Sequence, residues 1–110
     1  ALLGAAKLGD IGVHFASSDE RWKNKESIYF LEHAAILIRD QGFDIDYVDS
    51  TVILEEPKLA DIIPEMVYKV SDTLQIDEAA VSIKATTTDK MGFIGRGEGV
   101  GAMAIATISK

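Results

Sequence analysis

Five glycines fall close together near the carboxyl end, at Gly92, Gly95, Gly97, Gly99 and Gly101. Glycine loses more backbone freedom on ordering than any other residue, so such a run does not fill the interior of a helix or strand. It splits the last part of the chain in two. Residues 80–87 before it read as a strand, and residues 103–108 after it, β-branched and apolar, read as another. The connection between them begins Lys84-Ala85-Thr86-Thr87-Thr88-Asp89-Lys90-Met91 and continues Gly92-Phe93-Ile94-Gly95-Arg96-Gly97-Glu98-Gly99. Consecutive hydroxyls, a carboxylate and a glycine-wrapped arginine make a plausible site for a phosphorylated, metal-bound ligand.

The rest of the chain is punctuated as clearly. Ser27 is placed to cap a helix in which Ile28, Leu31, Ala34, Ala35, Leu37 and Ile38 form an apolar stripe that ends at Gly42. Phe43, Ile45, Tyr47 and residues 48–54, with Thr51, Val52 and Ile53 β-branched, read as a strand closed by Glu55-Glu56-Pro57-Lys58. Asp61 is placed to cap a further helix, with Pro64 in its first turn, Ile63, Met66, Val67, Val70 and Leu74 facing a core, and an end near Gln75. Residues 1–8 look like the tail of a helix begun earlier. Gly9-Asp10-Ile11-Gly12 breaks that pattern, and residues 17–25 form a long, mobile loop of the kind that covers sites, anchored by Trp22.

The order is therefore helix end, helix, strand, helix, strand, strand. It predicts an α+β fold, one domain over residues 1–110, in which a small three-stranded β-sheet is covered by helices on one face. So small a sheet leaves its other face and its edges in need of a partner, which predicts a homo-oligomer.

Composition narrows the function. At 110 residues and 47% hydrophobic, the chain can bury a modest core. It contains no cysteine, which excludes disulfides and thiolate metal ligands and favours a cytoplasmic (bacterial) or plastid-like compartment. With 18 acidic against 11 basic residues and a formal charge of -7, a nucleic-acid partner is not expected. No apolar run reaches membrane-spanning length and no signal-peptide pattern opens the sequence, so no membrane association is expected either. An anionic ligand would need a local positive pocket.

Each polar constellation admits two readings. At the end of a strand the hydroxyls of Thr86, Thr87 and Thr88 and freed backbone N–H groups can converge on phosphate oxygens, with Asp89 a hard oxygen ligand for Mg²⁺ or Mn²⁺. Threonine is also a good strand former and Asp-Lys an ordinary turn, so the local residues alone favour a structural role. Arg96 can offer its guanidinium fork to a phosphate or pair with Glu98 or with a neighbouring subunit. The glycine spacing matches neither a P-loop nor a dinucleotide fingerprint, and no helix follows it. Asp10 can accept from a ligand's diol or serve as a helix-terminal turn residue. His14 and His33 are the only imidazoles and lie apart, which leaves this chain no zinc site by spacing.

Taken together, several segments are similar to the 2-C-methyl-D-erythritol 2,4-cyclodiphosphate synthase family. They are Ala1-Leu2-Leu3-Gly4-Ala5-Ala6, Gly9-Asp10-Ile11-Gly12, Phe15 with Asp19 and Arg21-Trp22-Lys23, Val48-Asp49-Ser50-Thr51-Val52-Ile53, Pro57-Lys58, and the whole run from Lys84 to Gly99. The resemblance implies a ferredoxin-like/chorismate-mutase-like subunit assembling as a homotrimer, with active sites at the subunit interfaces. It implies cyclisation of 4-diphosphocytidyl-2-C-methyl-D-erythritol 2-phosphate with release of CMP, a lyase step of non-mevalonate isoprenoid biosynthesis. Zn²⁺ and a second ion, Mg²⁺ or Mn²⁺, are the implied cofactors.

By the same resemblance Asp10, Ile11 and Gly12 hold substrate, as do Phe15, Ser17 and Asp19 of the loop that follows. Leu54, Pro57, Lys58 and Leu59 match the cytosine pocket, and Ala85 and Thr86 match residues that grip the nucleotide. Thr87 matches the threonine that steadies the transition state. Asp89 stands at the second metal, and Phe93 and Arg96 at the threefold interior, where the arginine can meet an anion. Two features depart from the family pattern. Asp89, one methylene shorter, replaces a glutamate, so its metal contact is expected to lengthen or pass through water, and Ala16-Ser17-Ser18-Asp19 replaces P-D-T-D. The family's zinc ligands are expected in a segment ahead of Ala1. A non-catalytic trimeric nucleotide-binding or assembly module lacking the zinc site is the alternative.

Overall fold

The computed structural model describes all 110 residues. It begins with two single-turn helices, α1 (Leu2–Ala5) and α2 (Ile11–His14), and a 3₁₀ turn at Glu20–Trp22. Helix α3 (Ser27–Asp40), strand β1 (Asp44–Ile53) and helix α4 (Ile63–Leu74) follow. A 3₁₀ turn at Glu78–Ala80 leads into β2 (Val81–Thr86), the one-turn helix α5 (Gly92–Gly95) and β3 (Gly101–Ser109).

The three strands lie in the order β2-β1-β3, β1 running parallel to β2 and antiparallel to β3. A register shift between Ile45 and Tyr47 puts Ile45 and Val48 on the same side, and they face Ile108 and Ala106 across the β1–β3 ladder. This side meets the helices. Leu2 of α1, Ala35 and Ile38 of α3, and Leu74 of α4 close over Ile45, with Val48, Val70, Ala106 and Ile108 packed around them. Ile38 and Leu74 are 0% exposed, and burying each stabilises the fold by about 2–3 kcal/mol. Arg39 of α3 donates to the Leu74 carbonyl, one of the carbonyls left over at the end of α4, and ties the two helices together. The opposite side of the sheet, carrying Tyr47, Met103 and Ile105, is open.

The expected elements are present; besides the turn α2, which follows a break expected at Gly9-Asp10-Ile11-Gly12, there are four local differences. Ser27 is the first residue of α3 rather than its cap; Glu26 occupies the cap position in extended conformation and makes no side-chain bond there. Asp61 does not cap α4, because the turn that starts the helix is already wound at 59–62, with the Ile62 and Ile63 N–H groups bonded to the Leu59 carbonyl. Strand β2 stops at Thr86, so Thr87 and Thr88 leave the sheet instead of alternating across it. The glycine-rich connection holds a helical turn, α5, where an irregular link is expected from sequence.

Candidate functional site

β1 and β2 are parallel, so their carboxyl ends lie side by side, and β3 starts at that same end with Gly101 opposite Ile53. The Leu54 N–H extends the ladder by one bond to the Thr86 carbonyl at 3.0 Å. Three polar segments thereby leave one end of the sheet together: residues 54–59 after β1, residues 87–91 after β2, and residues 96–100 before β3. Ligands favour the carboxyl ends of parallel strands because the loops there splay apart and expose backbone groups. The topology thus gathers Leu54, Pro57, Lys58, Leu59, Ala85, Thr86, Thr87, Asp89, Phe93 and Arg96, residues far apart in sequence.

The turn after β2 is tightly built. The Met91 N–H donates to the Thr88 carbonyl at 3.1 Å, the Thr88 hydroxyl donates to the Met91 carbonyl at 2.7 Å, and the Asp89 N–H donates to Thr87 Oγ1 at 3.2 Å. Asp89 and Lys90 both take left-handed conformations, φ 53° and 66°, which β-carbon-bearing residues avoid. The strain is local and leaves Asp89 exposed. Gly95 permits it: a Cβ there would lie 2.7 Å from both the Cα and the carbonyl oxygen of Lys90, and closer still to the carbonyl carbon. Phe93, 57% exposed, lays its ring across Gly99, where a Cβ would come within 3.1 Å. Arg96 is paired with Glu98, Nη2 to Oε2 at 3.0 Å and Nε to the same oxygen at 3.1 Å, so of the three partners considered for it the internal one is formed. Both side chains are solvated, and such a pair opens at little cost when a phosphate approaches.

The residues of the first third form a separate group around a cavity of about 590 Å³ between α1, α2, α3 and the sheet. Asp10 caps α2, its Oδ1 accepting from the Val13 N–H at 3.1 Å, and lines this cavity with Ile11 and Phe15. The Asp10 cap therefore serves as the turn residue and still presents its second carboxylate oxygen. Phe15 is buried against Trp22 at 5.2 Å, Phe30 at 5.0 Å and His33 at 5.6 Å between ring centres, so its side chain anchors the loop. His33 belongs to this aromatic cluster, as its mid-helix position suggests. Trp22 does anchor the loop of residues 17–25, which leaves Ser17 exposed. Asp19 is clasped by Arg21, Oδ2 lying 2.7 Å from Nη2 and 3.0 Å from Nε. The Arg21 side-chain hydrogen bonds, and then its backbone N–H, hold the Asp19 carboxyl below the ordinary carboxylate range.

No three His, Cys, Asp or Glu side chains gather where they could hold a metal ion. Asp89 offers a single unpartnered carboxylate beside hydroxyls. That fits one ligand position on Mg²⁺ or Mn²⁺, ions that complete their shells with water and phosphate oxygens. Nothing in the chain fits a tetrahedral zinc site. Two features of the site were not legible from sequence: the close approach of Gly95 to Lys90, whose only signal was the glycine run, and the Arg21 clasp on Asp19.

Fold and site together define a small α+β protein with a mixed three-stranded sheet that collects hydroxyl, carboxylate and guanidinium groups at the carboxyl ends of its parallel pair. The YgbB family profile matches residues 1–109, and the chain belongs to that family. A 2-C-methyl-D-erythritol 2,4-cyclodiphosphate synthase from Methylobacillus flagellatus is 46% identical over all 110 residues, which cover 69% of that protein. The bifunctional IspDF from Campylobacter jejuni superposes with a TM-score of 0.94 at 40% identity, over 98% of this chain and 29% of that one. The IspF CDP complex from Plasmodium falciparum superposes with a TM-score of 0.83 at 34% identity, over 97% of this chain and 63% of that one.

Proposed function

We infer that this chain carries the cyclodiphosphate synthase activity. It converts 4-diphosphocytidyl-2-C-methyl-D-erythritol 2-phosphate into 2-C-methyl-D-erythritol 2,4-cyclodiphosphate and CMP, in isoprenoid biosynthesis. The observation that carries this reading is the match to named synthases along the whole chain, 46% identical over 110 residues, with the matching polar segments brought to one end of the sheet. The alternative, a non-catalytic binding or assembly module, is not favoured by a likeness of that extent.

The reaction needs charge neutralisation and bending of the substrate. An oxygen of the 2-phosphate attacks the β-phosphorus, the bond from that phosphorus to the oxygen bridging to the α-phosphorus breaks, and CMP leaves with that oxygen. In our reading residues 54–59 seat the cytosine, and Ala85 and Thr86 grip the nucleotide. Thr87 turns its exposed hydroxyl to the transferring phosphoryl group, whose charge it helps disperse. Asp10, Ile11 and Gly12 hold the erythritol, with Phe15, Ser17 and Asp19 on the covering loop. A bound Mg²⁺ or Mn²⁺ at Asp89 would neutralise phosphate oxygens. The chain's own residues do not fit zinc, and no step is assigned to it.

The subunit is read as ferredoxin-like and trimeric, with sites between subunits where Phe93 and Arg96 approach the threefold axis. What supports this is the open sheet face, on which Met103 is 69% and Ile105 72% exposed, together with a thin core of ten buried hydrophobic residues. No helix is long and apolar enough to cross a membrane. From a sequence without cysteine we place the enzyme in a bacterial cytoplasm or a plastid-like compartment.

The test is incubation of the full chain with the cytidyl substrate and Mg²⁺, following CMP by chromatography and the cyclic diphosphate by phosphorus NMR. CMP appearing in step with the cyclic product supports the reading; no CMP overturns it. Asp89→Ala should remove most Mg²⁺-dependent turnover without altering the assembly, and undiminished turnover would sink the metal role.

A further inference from the structure

Asp10 is the only charged side chain that lines the cavity of about 590 Å³, yet its own element does little to hold it there. Helix α2 is a single turn that buries none of its residues, with Ile11 56% and Val13 69% exposed. So short a helix does not persist on its own bonds. The bond from the Val13 N–H to Asp10 closes the turn on itself without fixing it to anything else. Just ahead stands Gly9 at φ 85°, where the chain is freest to turn. Two anchors remain. Behind the turn, Phe15 is buried among Trp22, Phe30 and His33. Ahead of it, the His14 ring folds back across Gly9 and places Nε2 2.6 Å from the Leu8 carbonyl oxygen. A carbonyl only accepts, so Nε2 carries the proton and donates it. Leu8 packs on the core around Ile38 and Leu74, and this is the only side-chain hydrogen bond that crosses Gly9. Asp10 thus sits inside a ring closed from residue 8 to residue 14.

We propose that His14 is a positioning residue for Asp10: its Nε2–H bond to the Leu8 carbonyl fixes the exposed α2 turn to the core and so holds the Asp10 carboxylate at the cavity wall. The assignment rests on the reading in which Asp10 holds the erythritol. His14 itself touches no substrate and acts through the turn. With the bond cut, Gly9 lets the turn swing, and ligand binding must then order it again, which weakens only the part of the ligand that Asp10 holds. The chemistry of the bond separates its replacements. Leucine keeps an apolar side chain beside Phe15 but cannot donate. Glutamine carries an amide nitrogen about as far out as Nε2 and can remake the bond, whereas asparagine, one methylene shorter, donates but falls short of the Leu8 carbonyl.

The experiment is calorimetric titration, in Mg²⁺, of two ligands into the full chain: CDP, which has no erythritol, and 4-diphosphocytidyl-2-C-methyl-D-erythritol, which lacks the attacking 2-phosphate. The variants are His14→Leu, His14→Asn, His14→Gln and Asp10→Ala, with thermal unfolding of each to confirm that it is folded. His14→Leu and His14→Asn should weaken the erythritol ligand about three- to tenfold, the worth of one hydrogen bond, and leave the Kd for CDP within about twofold. His14→Gln should recover the original Kd to within about twofold. If His14→Leu does not fold, the comparison of His14→Asn with His14→Gln decides. Undiminished binding of the erythritol ligand, a glutamine variant as weak as the asparagine one, or an equal loss for CDP each overturns the positioning role, the last by showing that the bond supports the fold as a whole. If Asp10→Ala binds the erythritol ligand as the unaltered chain does, the reading of Asp10 falls and this assignment with it. A loss in Asp10→Ala without one in the His14 variants removes His14 alone.

Discussion

Gly95→Ala tests the link between the glycine run and the reacting groups. The new Cβ would lie 2.7 Å from the Lys90 Cα and carbonyl oxygen. Carbon atoms pack at about 3.5 Å or more, and the Lys90 carbonyl carbon is nearer still, so the Lys90 backbone must retreat by more than about 1 Å. It has little room to do so. Lys90 sits at φ 66°, the Met91 N–H is held by the Thr88 carbonyl, and the Met91 carbonyl accepts from both the Thr88 hydroxyl and the Gly95 N–H. Overpacking of this kind costs about 1–3 kcal/mol, and loss of one of these bonds adds about 1 kcal/mol. The expected loss is therefore about 2–4 kcal/mol in urea unfolding. The same movement displaces Asp89 and Thr87, and misplacing reacting groups by about 1 Å lowers turnover on the order of 100-fold. Gly97→Ala is the control: Gly97 has φ 76° but nothing within 4 Å of an added Cβ, so only left-handed strain of about 1–2 kcal/mol applies. Urea midpoints together with CMP release decide the matter. A Gly95→Ala protein within about 0.5 kcal/mol of the original, or less affected than Gly97→Ala, would refute the packing argument.

Leu74→Ala empties a fully buried position between α3 and α4 and should destabilise the fold by about 2–5 kcal/mol in urea; a loss under about 1 kcal/mol would contradict its place in the core. Trp22→Ala removes the ring that holds the loop of residues 17–25 on α3 and should raise KM about tenfold with little change in kcat, whereas an unchanged KM would deny the loop a part in binding. The side-chain hydrogen bond from Lys84 holds the Asp49 carboxyl below its ordinary range. Because the folded-state pKa is depressed, the contribution of this pair is fully present above the unfolded value of about 3.9 and fades as the pH falls through the folded value. Lys84→Met should flatten that acid limb of the stability curve, and an unaltered limb would remove the pair from the account.

What was legible in the sequence and what was not divides along a physical line. Periodicity fixes buried faces, so the stripe through Ile38 and the one ending at Leu74 lead directly to the two most buried side chains. β-branched runs place β1, β2 and β3 within a residue or two. Caps are decided by backbone geometry at single residues, and there Ser27 and Asp61 misled: each is a good capping type, but the turn beside it was wound one residue away. The parallel pairing of β1 and β2 is a long-range property that no local pattern carries. That pairing turns two unremarkable loop segments, residues 54–59 and 87–91, into neighbours.

The site follows the same division. Thr87, Asp89 and Arg96 were visible as residue types, yet their local setting favoured structure for Thr87 and Asp89 and left Arg96 even, because a hydroxyl at a strand end or an arginine beside a glutamate has an ordinary use. Arg96 does bond to Glu98, and Asp10 does cap a helix. Neither bond removes the residue from function: the Arg96 pair is exposed, and the Asp10 cap uses only one carboxylate oxygen. A structural role leaves room for the proposed functional one on the same side chain, because each would be satisfied by different atoms or at different times.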